Sequence, residues 1–433
     1  MRIFVVKLKI NMIKKIWTLG VFSIAALSVS AQASEQDLQL NTITTAMPFV
    51  SITPGSRAGA MGDAGTALSA SSTSIYWNTS MLNFSEKKSE ISISYTPWLR
   101  QLTNDIHLSY VAGYYKINDR HAVGGALRYF NLGEITFTDD QANIIRDDKP
   151  SEFEFTGGYA FRLADRFSVG INGKFIYSNL TGGLPVAGQA TKAGIAGATD
   201  ISFTYNNDQA KIGSTKGTYT FAATINNIGN KVAYSTVATE GRDFLPMNLK
   251  IGNAFVADFD QYNSVTFSFD VQKLLVPTPP TYELIDGEYQ MIAGMNDNVG
   301  VIAGMLQSFY DAPGVVLTDG VTGDFLQNED GSYQIKSGSR LVEELTEINL
   351  AAGIEYWYNN TFALRGGFFF ENKNKGARQF FNLGAGFKYN KFGIDISYLA
   401  ALKRNNPLAN TLRFTLRFEL GGKESFDPNT APE

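Results

Sequence analysis

Residues 410–420 read NTLRFTLRFEL, a stretch in which apolar and polar side chains alternate without a break. Successive side chains of a strand point to opposite faces, so this pattern predicts a strand with one apolar face and one polar face. The polar face carries Arg413, Arg417 and Glu419. Two settings suit such a strand. In a soluble sandwich the polar face meets water, whereas in an outer-membrane barrel the apolar face meets lipid and the polar face lines the interior.

The composition favours β structure and argues against several classes of function. The 433 residues include 41 glycines and 13% aromatic residues, a mixture typical of strands and tight turns. The chain has no cysteine, which excludes disulfides and thiolate metal sites, and its two histidines are His107 and His121. Its net charge of −4 is spread along the chain, without the basic patch of a nucleic-acid-binding protein. We therefore predict no catalytic site, no metal site and no cofactor.

The first 33 residues have the pattern of a secretory signal peptide. Lys14 and Lys15 precede an apolar run that ends in the small-residue motif Ala31-Gln32-Ala33. We expect cleavage after Ala33, although a cut between Ala31 and Gln32 also fits the motif. The alternative, a transmembrane helix, needs a longer apolar run.

The sequence from residue 89 onward predicts fourteen strands separated by turns. Turns such as Asn118-Asp119 and Asn359-Asn360 contain residue types that tolerate positive φ. Every second connection is compact, and most of the others are longer. Bacterial outer-membrane barrels show the same division, with short periplasmic turns and longer external loops. A soluble sandwich has no reason to sort its loops in this way, so we predict an all-β fold: a closed antiparallel transmembrane β-barrel of about 14 strands. The predicted strands span residues 89–98, 104–116, 120–130, 151–163, 166–178, 193–205, 217–229, 245–258, 262–274, 347–358, 361–371, 378–389, 392–402 and 410–420.

Residues 34–88 lack strand alternation, and we predict that they form a periplasmic N-terminal segment and a plug inside the barrel. Residues 41–84 are rich in glycine, alanine and serine, which suits a polar interior with little space, and residues 64–70 are expected to form a short helix. The motif GAMGDAG at residues 59–65 lacks the Lys-Ser/Thr ending of a phosphate-binding loop. The alternative is a loose periplasmic linker. The residues predicted to belong to the plug are Gly55, Arg57, Gly59, Gly62, Asp63, Gly65 and Asn78.

The longest connection, residues 275–346, is predicted to be a functional external loop of the barrel. Three prolines stiffen its start, and the apolar stretch NVGVIAGMLQSFYDAPGVV argues against disorder. An apolar patch at the outer surface marks a partner site, and we predict Tyr282, Phe309 and Tyr310 as its anchors, none of them in a predicted strand. The alternative is that this loop folds back and caps the lumen. The barrel is then expected to span residues 89–420, followed by a periplasmic C-terminal tail at residues 421–433.

Acidic residues occur in groups, but their spacing does not define a site. Glu343, Glu344 and Glu347 are interpreted as the solvated face of a loop or helix rather than as a carboxylate site. Aspartate pairs at 139–140 and 147–148 bracket a loop, and their spacing matches no calcium-binding pattern.

The N-terminal segment carries a resemblance to known proteins. The stretch GSRAGAMGDAGTALSASSTSIYWNTSMLNF resembles the N-terminal hatch of the FadL-like outer-membrane proteins. The longer string NTITTAMPFVSITPGSRAGAMGDAG, with SIYWN after it, is more similar still to the PorV family, also called LptO, of the type IX secretion system. FadL-like proteins have an Asn-Pro-Ala element before the first strand, whereas this chain has Asn78-Thr79-Ser80 and lacks the proline.

The resemblance implies a function in protein secretion. PorV-like proteins are FadL-type barrels without catalytic residues. They bind the C-terminal signal domains of cargo that leaves a Sov/SprA-type translocon, and they deliver that cargo to a PorU-type sortase at the cell surface. The expected location is the outer membrane of a Gram-negative bacterium, with outer-membrane lipid and lipopolysaccharide as neighbours. Two other functions stay open: a FadL-type transporter of hydrophobic small molecules, and an outer-membrane enzyme, for which the sequence offers no site.

Overall fold

A computed structural model describes residues 40–100, 103–138, 141–183, 185, 190–235, 241–285, 287–320, 322, 324–402 and 410–421. The predicted signal peptide, the aspartates at 139–140 and the C-terminal tail beyond residue 421 lie outside these residues. No helix in the described ranges is both long enough and apolar enough to cross a membrane.

Fourteen strands form a closed antiparallel barrel in the part of the chain that the structure describes, as the sequence predicts. Its first strand pairs with its last, so that Tyr95 lies opposite Phe414. Two further pairs of strands, β4–β5 and β12–β13, form separate hairpins. The strands are β1 Ser89–Pro97, β2 His107–Lys116, β3 His121–Asn131, β4 Ile135–Thr138, β5 Ile144–Asp148, β6 Ser151–Ala164, β7 Phe167–Asn179, β8 Gly194–Ile212, β9 Thr215–Gly229, β10 Asn248–Asp258, β11 Asn263–Leu274, β12 Thr281–Ile285, β13 Glu288–Ala293, β14 Ile348–Tyr358, β15 Phe362–Phe370, β16 Gln379–Tyr389, β17 Phe392–Ala401 and β18 Thr411–Leu420.

The last strand shows which face of the barrel is apolar. In β18 the apolar side chains of Phe414 and Leu416 point outward and are 40% and 44% exposed. Arg413 and Arg417 point inward and are buried. A soluble sandwich would bury the apolar face and expose the arginines, so the structure excludes that alternative. An apolar exterior around a polar interior is the arrangement of a barrel in lipid.

Tight turns close the short end of the barrel. Asn359 and Asn360 both have positive φ, at 52° and 49°, as expected for the hairpin between β14 and β15. Asn390 between β16 and β17 has a φ of 53°. The sequence predicts both turns because asparagine tolerates this backbone conformation.

The structure departs from the predicted layout in three places. Strand β8 continues to Ile212 and β9 begins at Thr215, so the predicted connection at residues 206–216 is a two-residue turn with Gly213 at a φ of 61°. The polar run at residues 206–211 hides this extension, because its alternation is lost at a bulge. The hairpins β4–β5 and β12–β13 also lie in predicted loops.

The N-terminal segment, defined as residues 41–84, is folded against the inward faces of the barrel strands and is largely buried. It contains the helices Ser56–Ala60 and Ser74–Trp77 and the 3-10 helices Pro48–Ser51 and Thr79–Phe84. The first α-helix contacts β15 to β18, and the second 3-10 helix contacts β3, β6, β7 and β8. The expected helix at residues 64–70 is wrong: these residues form turns, because small side chains let the backbone bend in a narrow space.

The chain divides into two compact units. Of the residues that the structure describes, the barrel unit contains those within 43–277, 298–308 and 347–421, and the loop unit contains those within 40–42, 278–297 and 309–346. In the barrel unit the helix Val301–Gln307 packs beside Phe244, Leu275 and Val276. In the loop unit the helix Ser339–Thr346 and the hairpin β12–β13 are the main elements.

The outward position of Phe414 gives a test of the barrel register. A charged side chain on the lipid face is costly, so Phe414→Arg is expected to lower the free energy of unfolding by about 2–4 kcal/mol if the residue lies near the bilayer midplane. Phe414→Leu keeps the apolar face and is expected to cost less than about 1.5 kcal/mol. Reversible folding into lipid vesicles in urea measures both values, and equal costs would show that the register is shifted by one residue.

Candidate functional site

Five alternating charges connect the N-terminal segment to the barrel wall. Arg57 donates hydrogen bonds from Nε and Nη2 to Glu355 at 2.9 and 2.7 Å. Arg365 donates from Nε to Glu355 at 2.6 Å and from Nη1 to Asp395 at 2.7 Å. Arg417 donates from Nε to the other oxygen of Asp395 at 2.7 Å. This charge chain therefore joins the helix Ser56–Ala60 to strands β14, β15, β17 and β18.

The charge chain is fully removed from water at its centre. The side chains of Glu355 and Arg365 are 0% exposed, as is that of Asp395. A buried charge is costly without a partner, and each carboxylate here receives hydrogen bonds from two guanidinium groups. The sequence pattern alone does not predict the charge chain. A signal was present, since Glu355, Arg365 and Asp395 each stand at the inward position of an otherwise apolar or small-residue strand.

Asn78 fixes a second point of the N-terminal segment. Its Nδ2 donates to the backbone oxygen of Thr66 at 3.0 Å and to Oγ1 of Thr204 on β8 at 2.8 Å. Its Oδ1 accepts a hydrogen bond from Ser80 Oγ at 2.6 Å. Without the proline of the FadL-like element, the next residue Thr79 keeps a hydroxyl that donates to Asn172 at 2.6 Å. The sequence Asn78-Thr79-Ser80 therefore attaches the segment to the wall through side chains.

Carboxylates of the wall also accept hydrogen bonds from the backbone of the N-terminal segment. Glu90 on β1 accepts from the backbone and the hydroxyl of Ser72, both at 2.8 Å. Asp270 on β11 accepts from the backbone of Thr66 at 2.9 Å. Together with the charge chain and Asn78, these contacts hold the segment at points around the interior.

The predicted glycines of the N-terminal segment stand where a side chain would collide. Gly62 has a φ of +69°, and a Cβ there would meet the backbone of Phe368. A Cβ on Gly65 would meet the ring of Trp77, and one on Gly59 would lie 2.6 Å from Arg413 Nη1. Gly55 is less crowded, with Thr73 at 3.0 Å. Close approach to the wall explains why this segment contains so many small residues.

A cavity of about 220 Å³ lies in the barrel unit between the N-terminal segment and the wall. Its lining is rich in amide and charged side chains, and Lys250 lies over the rings of Tyr76 and Trp77 at 5.0 and 4.5 Å. Asp63 also lines it, and burial raises the pKa of that carboxyl against the opposing charge of Arg413. Burial raises the pKa of Tyr76 to about 12, so its hydroxyl stays protonated and donates to the carbonyl of Ser51 at 2.9 Å.

The three predicted partner anchors are exposed, and they lie in different elements. Phe309 and Tyr310 follow the helix Val301–Gln307 and are 49% and 62% exposed. Tyr282 is 49% exposed and lies in β12. None of the three lies in a barrel strand, and Tyr282 belongs to a separate hairpin that residues 281–293 form within the long connection.

The acidic residues at the end of the long connection have structural partners. Glu343 accepts from the backbone of Gly314 at 2.8 Å, and Glu344 accepts from that of Ala312 at 2.9 Å. Glu347 pairs with Lys273 at 2.6 Å. The interpretation of these residues as a solvated face is wrong for Glu343 and Glu347, which are buried. No group of three or more metal-binding side chains occurs within the ranges that the structure describes.

The fold and its interior define a class of protein. A closed barrel with an apolar exterior and a packed polar interior is a transmembrane β-barrel of the outer-membrane type. The family model for type IX secretion system protein PorV matches residues 33–281, more than half of the chain. The chain belongs to this family, which confirms the resemblance seen in the sequence.

Other comparisons describe the fold alone. No curated protein matches the sequence. Among solved structures, the Ralstonia pickettii toluene transporter TbuX is 11% identical with a TM-score of 0.42, covering 85% of this chain and 98% of that one. The P. putida toluene transporter TodX is 10% identical with a TM-score of 0.44, covering 85% and 98%. A Pseudomonas aeruginosa FadL homologue is 13% identical with a TM-score of 0.40, covering 85% and 99%.

Breaking the charge chain at Glu355 is expected to be costly. Glu355→Leu leaves two buried guanidinium groups without their shared carboxylate, and a loss of about 3–5 kcal/mol in the free energy of unfolding is expected. The control is Glu134→Leu, which removes an exposed pair with Lys149 at 3.4 Å and is expected to cost less than about 1 kcal/mol. Urea unfolding in vesicles measures both, and similar costs would show that the charge chain does not hold the fold.

The glycines give a second test of the packed interior. Gly62→Ala places a Cβ against the backbone of Phe368 at positive φ, and we expect a loss of about 1–3 kcal/mol in the free energy of unfolding. Gly173 on β7 has no atom within 4 Å of a Cβ, so Gly173→Ala is the matched control and is expected to be neutral or slightly stabilising. The shift in unfolding midpoint distinguishes the two, and a neutral Gly62→Ala would contradict the close approach.

Proposed function

We propose that this protein is an outer-membrane carrier of the type IX secretion system. It binds the C-terminal signal domains of secreted cargo as they leave a Sov/SprA-type translocon and delivers them to a PorU-type sortase and attachment complex. The observation that carries this proposal is the match of the PorV family model to residues 33–281. The carrier acts as a binding module and performs no catalysis.

The polar interior supports a carrier over a transporter of hydrophobic small molecules. A transporter of that kind needs an apolar pocket and an apolar path out of the barrel. The cavity of about 220 Å³ is lined instead by charged residues such as Lys174, Lys250, Glu371 and Arg378. We infer that the N-terminal segment is a plug that stays in place while cargo is handled outside the lumen.

The division of the chain follows from this proposal. Residues 1–33 are the signal peptide that is removed after export, and residues 34–88 supply the periplasmic N-terminal segment and the plug. Residues 89–420 form the barrel, with residues 275–346 on the outer side of the membrane beside lipid and lipopolysaccharide, and residues 421–433 form a periplasmic tail. Cargo that emerges at the cell surface then meets the long connection first.

The candidate cargo anchors are Tyr282, Phe309 and Tyr310. Each is between 49% and 62% exposed, and large aromatic side chains tend to dominate the energetics of protein interfaces. Replacing all three with alanine is expected to leave the barrel folded and inserted. It is expected to block delivery, so that cargo accumulates with its signal domain attached. An immunoblot for precursor and mature cargo measures this, with a heat-modifiability gel to show that the barrel is intact.

A matched control removes the same kind of side chain near the short turns of the barrel. Tyr262, Tyr389 and Phe392 are also exposed, at 50%, 71% and 58%. They flank the turns between β10 and β11 and between β16 and β17. Their triple replacement with alanine is expected to leave cargo processing normal. Normal processing in both triple variants would exclude Tyr282, Phe309 and Tyr310 as the cargo site.

A further inference from the structure

The long connection is much more acidic than the rest of the chain. Residues 275–346 contain 11 aspartates and glutamates and two basic residues, whereas the whole chain has a net charge of only −4. Asp311 and Glu343 are buried, whereas others such as Glu283 and Glu288 are exposed. Charge complementarity steers partners and suppresses the wrong ones, so these exposed carboxylates favour a cationic partner. Within this connection, each strand of the hairpin β12–β13 carries one glutamate among apolar side chains, Glu283 in TYELI and Glu288 in EYQMIA.

One face of the hairpin is apolar and exposed. Tyr282 on β12 lies opposite Met291 on β13, and Leu284 lies opposite Tyr289. These four side chains share one face because they stand two residues apart on each strand. Their exposed fractions are 49%, 46%, 56% and 77% in that order. Four large apolar side chains this exposed on one face mark an interaction surface.

The other face of the hairpin is polar and acidic. Glu283 lies opposite Gln290, and Ile285 lies opposite Glu288. Both glutamates are exposed and make no hydrogen bond or ion pair within the described part of the chain. The hairpin therefore presents apolar side chains on one face and the carboxylates of Glu283 and Glu288 on the other.

The edges of the hairpin are open to another strand. Across the residues that the structure describes, β12 pairs with β13 and with no further strand. An isolated two-stranded hairpin is marginal in water, and unpaired edges are templates for a third strand. The base of the hairpin is anchored, since Ile292 and Ala293 are buried and Gly294 lies beside Pro280. The base of the hairpin is therefore packed, whereas its edges carry no third strand among the described residues.

We propose that β12–β13 binds an extended segment of a partner polypeptide in which basic and apolar side chains alternate. The segment adds as a third strand at one of the two open edges through main-chain hydrogen bonds. Its apolar side chains then lie beside Leu284 on β12 or Tyr289 on β13, and its basic side chains lie beside Glu283 or Glu288 on the same strand. Taking this partner to be secretion cargo rests on the proposed function. Anionic lipid and a second copy of the same acidic hairpin are disfavoured, because both would place like charges together.

The direct test uses the full chain purified in detergent and a labelled ten-residue peptide of alternating lysine and valine. Fluorescence anisotropy is expected to show saturable binding. Two changed peptides are expected to bind at least tenfold more weakly: one with glutamate in place of lysine, and one with two central prolines that prevent strand formation. Absence of binding, or equal binding of the proline peptide, overturns strand addition.

Matched variants locate the site on the hairpin. Replacing Glu283 and Glu288 with lysine is expected to raise the Kd at least tenfold. Replacing Asp324 and Glu329 with lysine makes the same charge change at exposed positions of the same connection and is expected to raise the Kd less than threefold. A heat-modifiability gel confirms that each barrel is folded. An equal rise in the Kd of the two variants would show that the peptide is attracted by the general negative charge of the connection. That result would overturn the hairpin as the binding site.

A cellular measurement separates this inference from the proposed function. If the wild-type chain captures no cargo from outer membranes, the proposed function fails, while the peptide result still decides whether the hairpin binds a strand. If the variant with Glu283→Lys and Glu288→Lys loses the peptide but matures cargo at the normal rate, the assignment of the partner as cargo is overturned and the carrier function stands. Slower cargo maturation in this variant than in the Asp324→Lys, Glu329→Lys control supports both the carrier function and the assignment of cargo as the partner of the hairpin.

Discussion

The structure depends on keeping buried charges paired inside the barrel. Glu355, Arg365 and Asp395 are fully removed from water, and none of them has an acceptable partner in lipid or in an apolar core. Arg57 completes the pairing from the N-terminal segment, and Arg417 completes it from the last strand. The segment and the wall therefore stabilise each other, because the charges of the wall need a partner from the segment. An interior built this way is a packed core rather than a water-filled channel.

The proposed function places the contacts with cargo outside the packed interior. The proposed carrier function requires cargo to contact the connections between strands, since the lumen is filled, and it assigns the barrel the role of a membrane anchor. The long connection between β11 and β14 has its own compact unit, with a hairpin, a helix and exposed aromatic side chains. Loops on a rigid scaffold commonly carry binding function, since they can vary without disturbing the barrel.

The sequence predicts the barrel well because the pattern that encodes it is local. Alternation places thirteen of the fourteen barrel strands within about three residues of their observed bounds and ends β8 seven residues early, and paired asparagines mark the turn between β14 and β15. The extension of β8 escapes prediction because its residues are polar, and the hairpin β12–β13 escapes it because its strands are only 5 and 6 residues long. The charge chain escapes it because its partners are up to 298 residues apart, and only the closed barrel brings them together. The composition predicts that the glycines of the N-terminal segment lie in a crowded interior. The atoms that exclude a Cβ at each glycine are known only from the three-dimensional structure.

The extension of β8 also makes the rim at the short turns uneven. Phe167, the first residue of β7, pairs with Tyr205, and β8 then continues through Asn206–Ile212, roughly 20 Å further at about 3.3 Å per residue. Strands β9 and β10 follow it, with Lys216 opposite Asp258. A rim with a single high step lacks rotational symmetry about the barrel axis. A flat rigid surface brought against this rim would touch the step first, so the area of contact would depend on its rotation about the barrel axis.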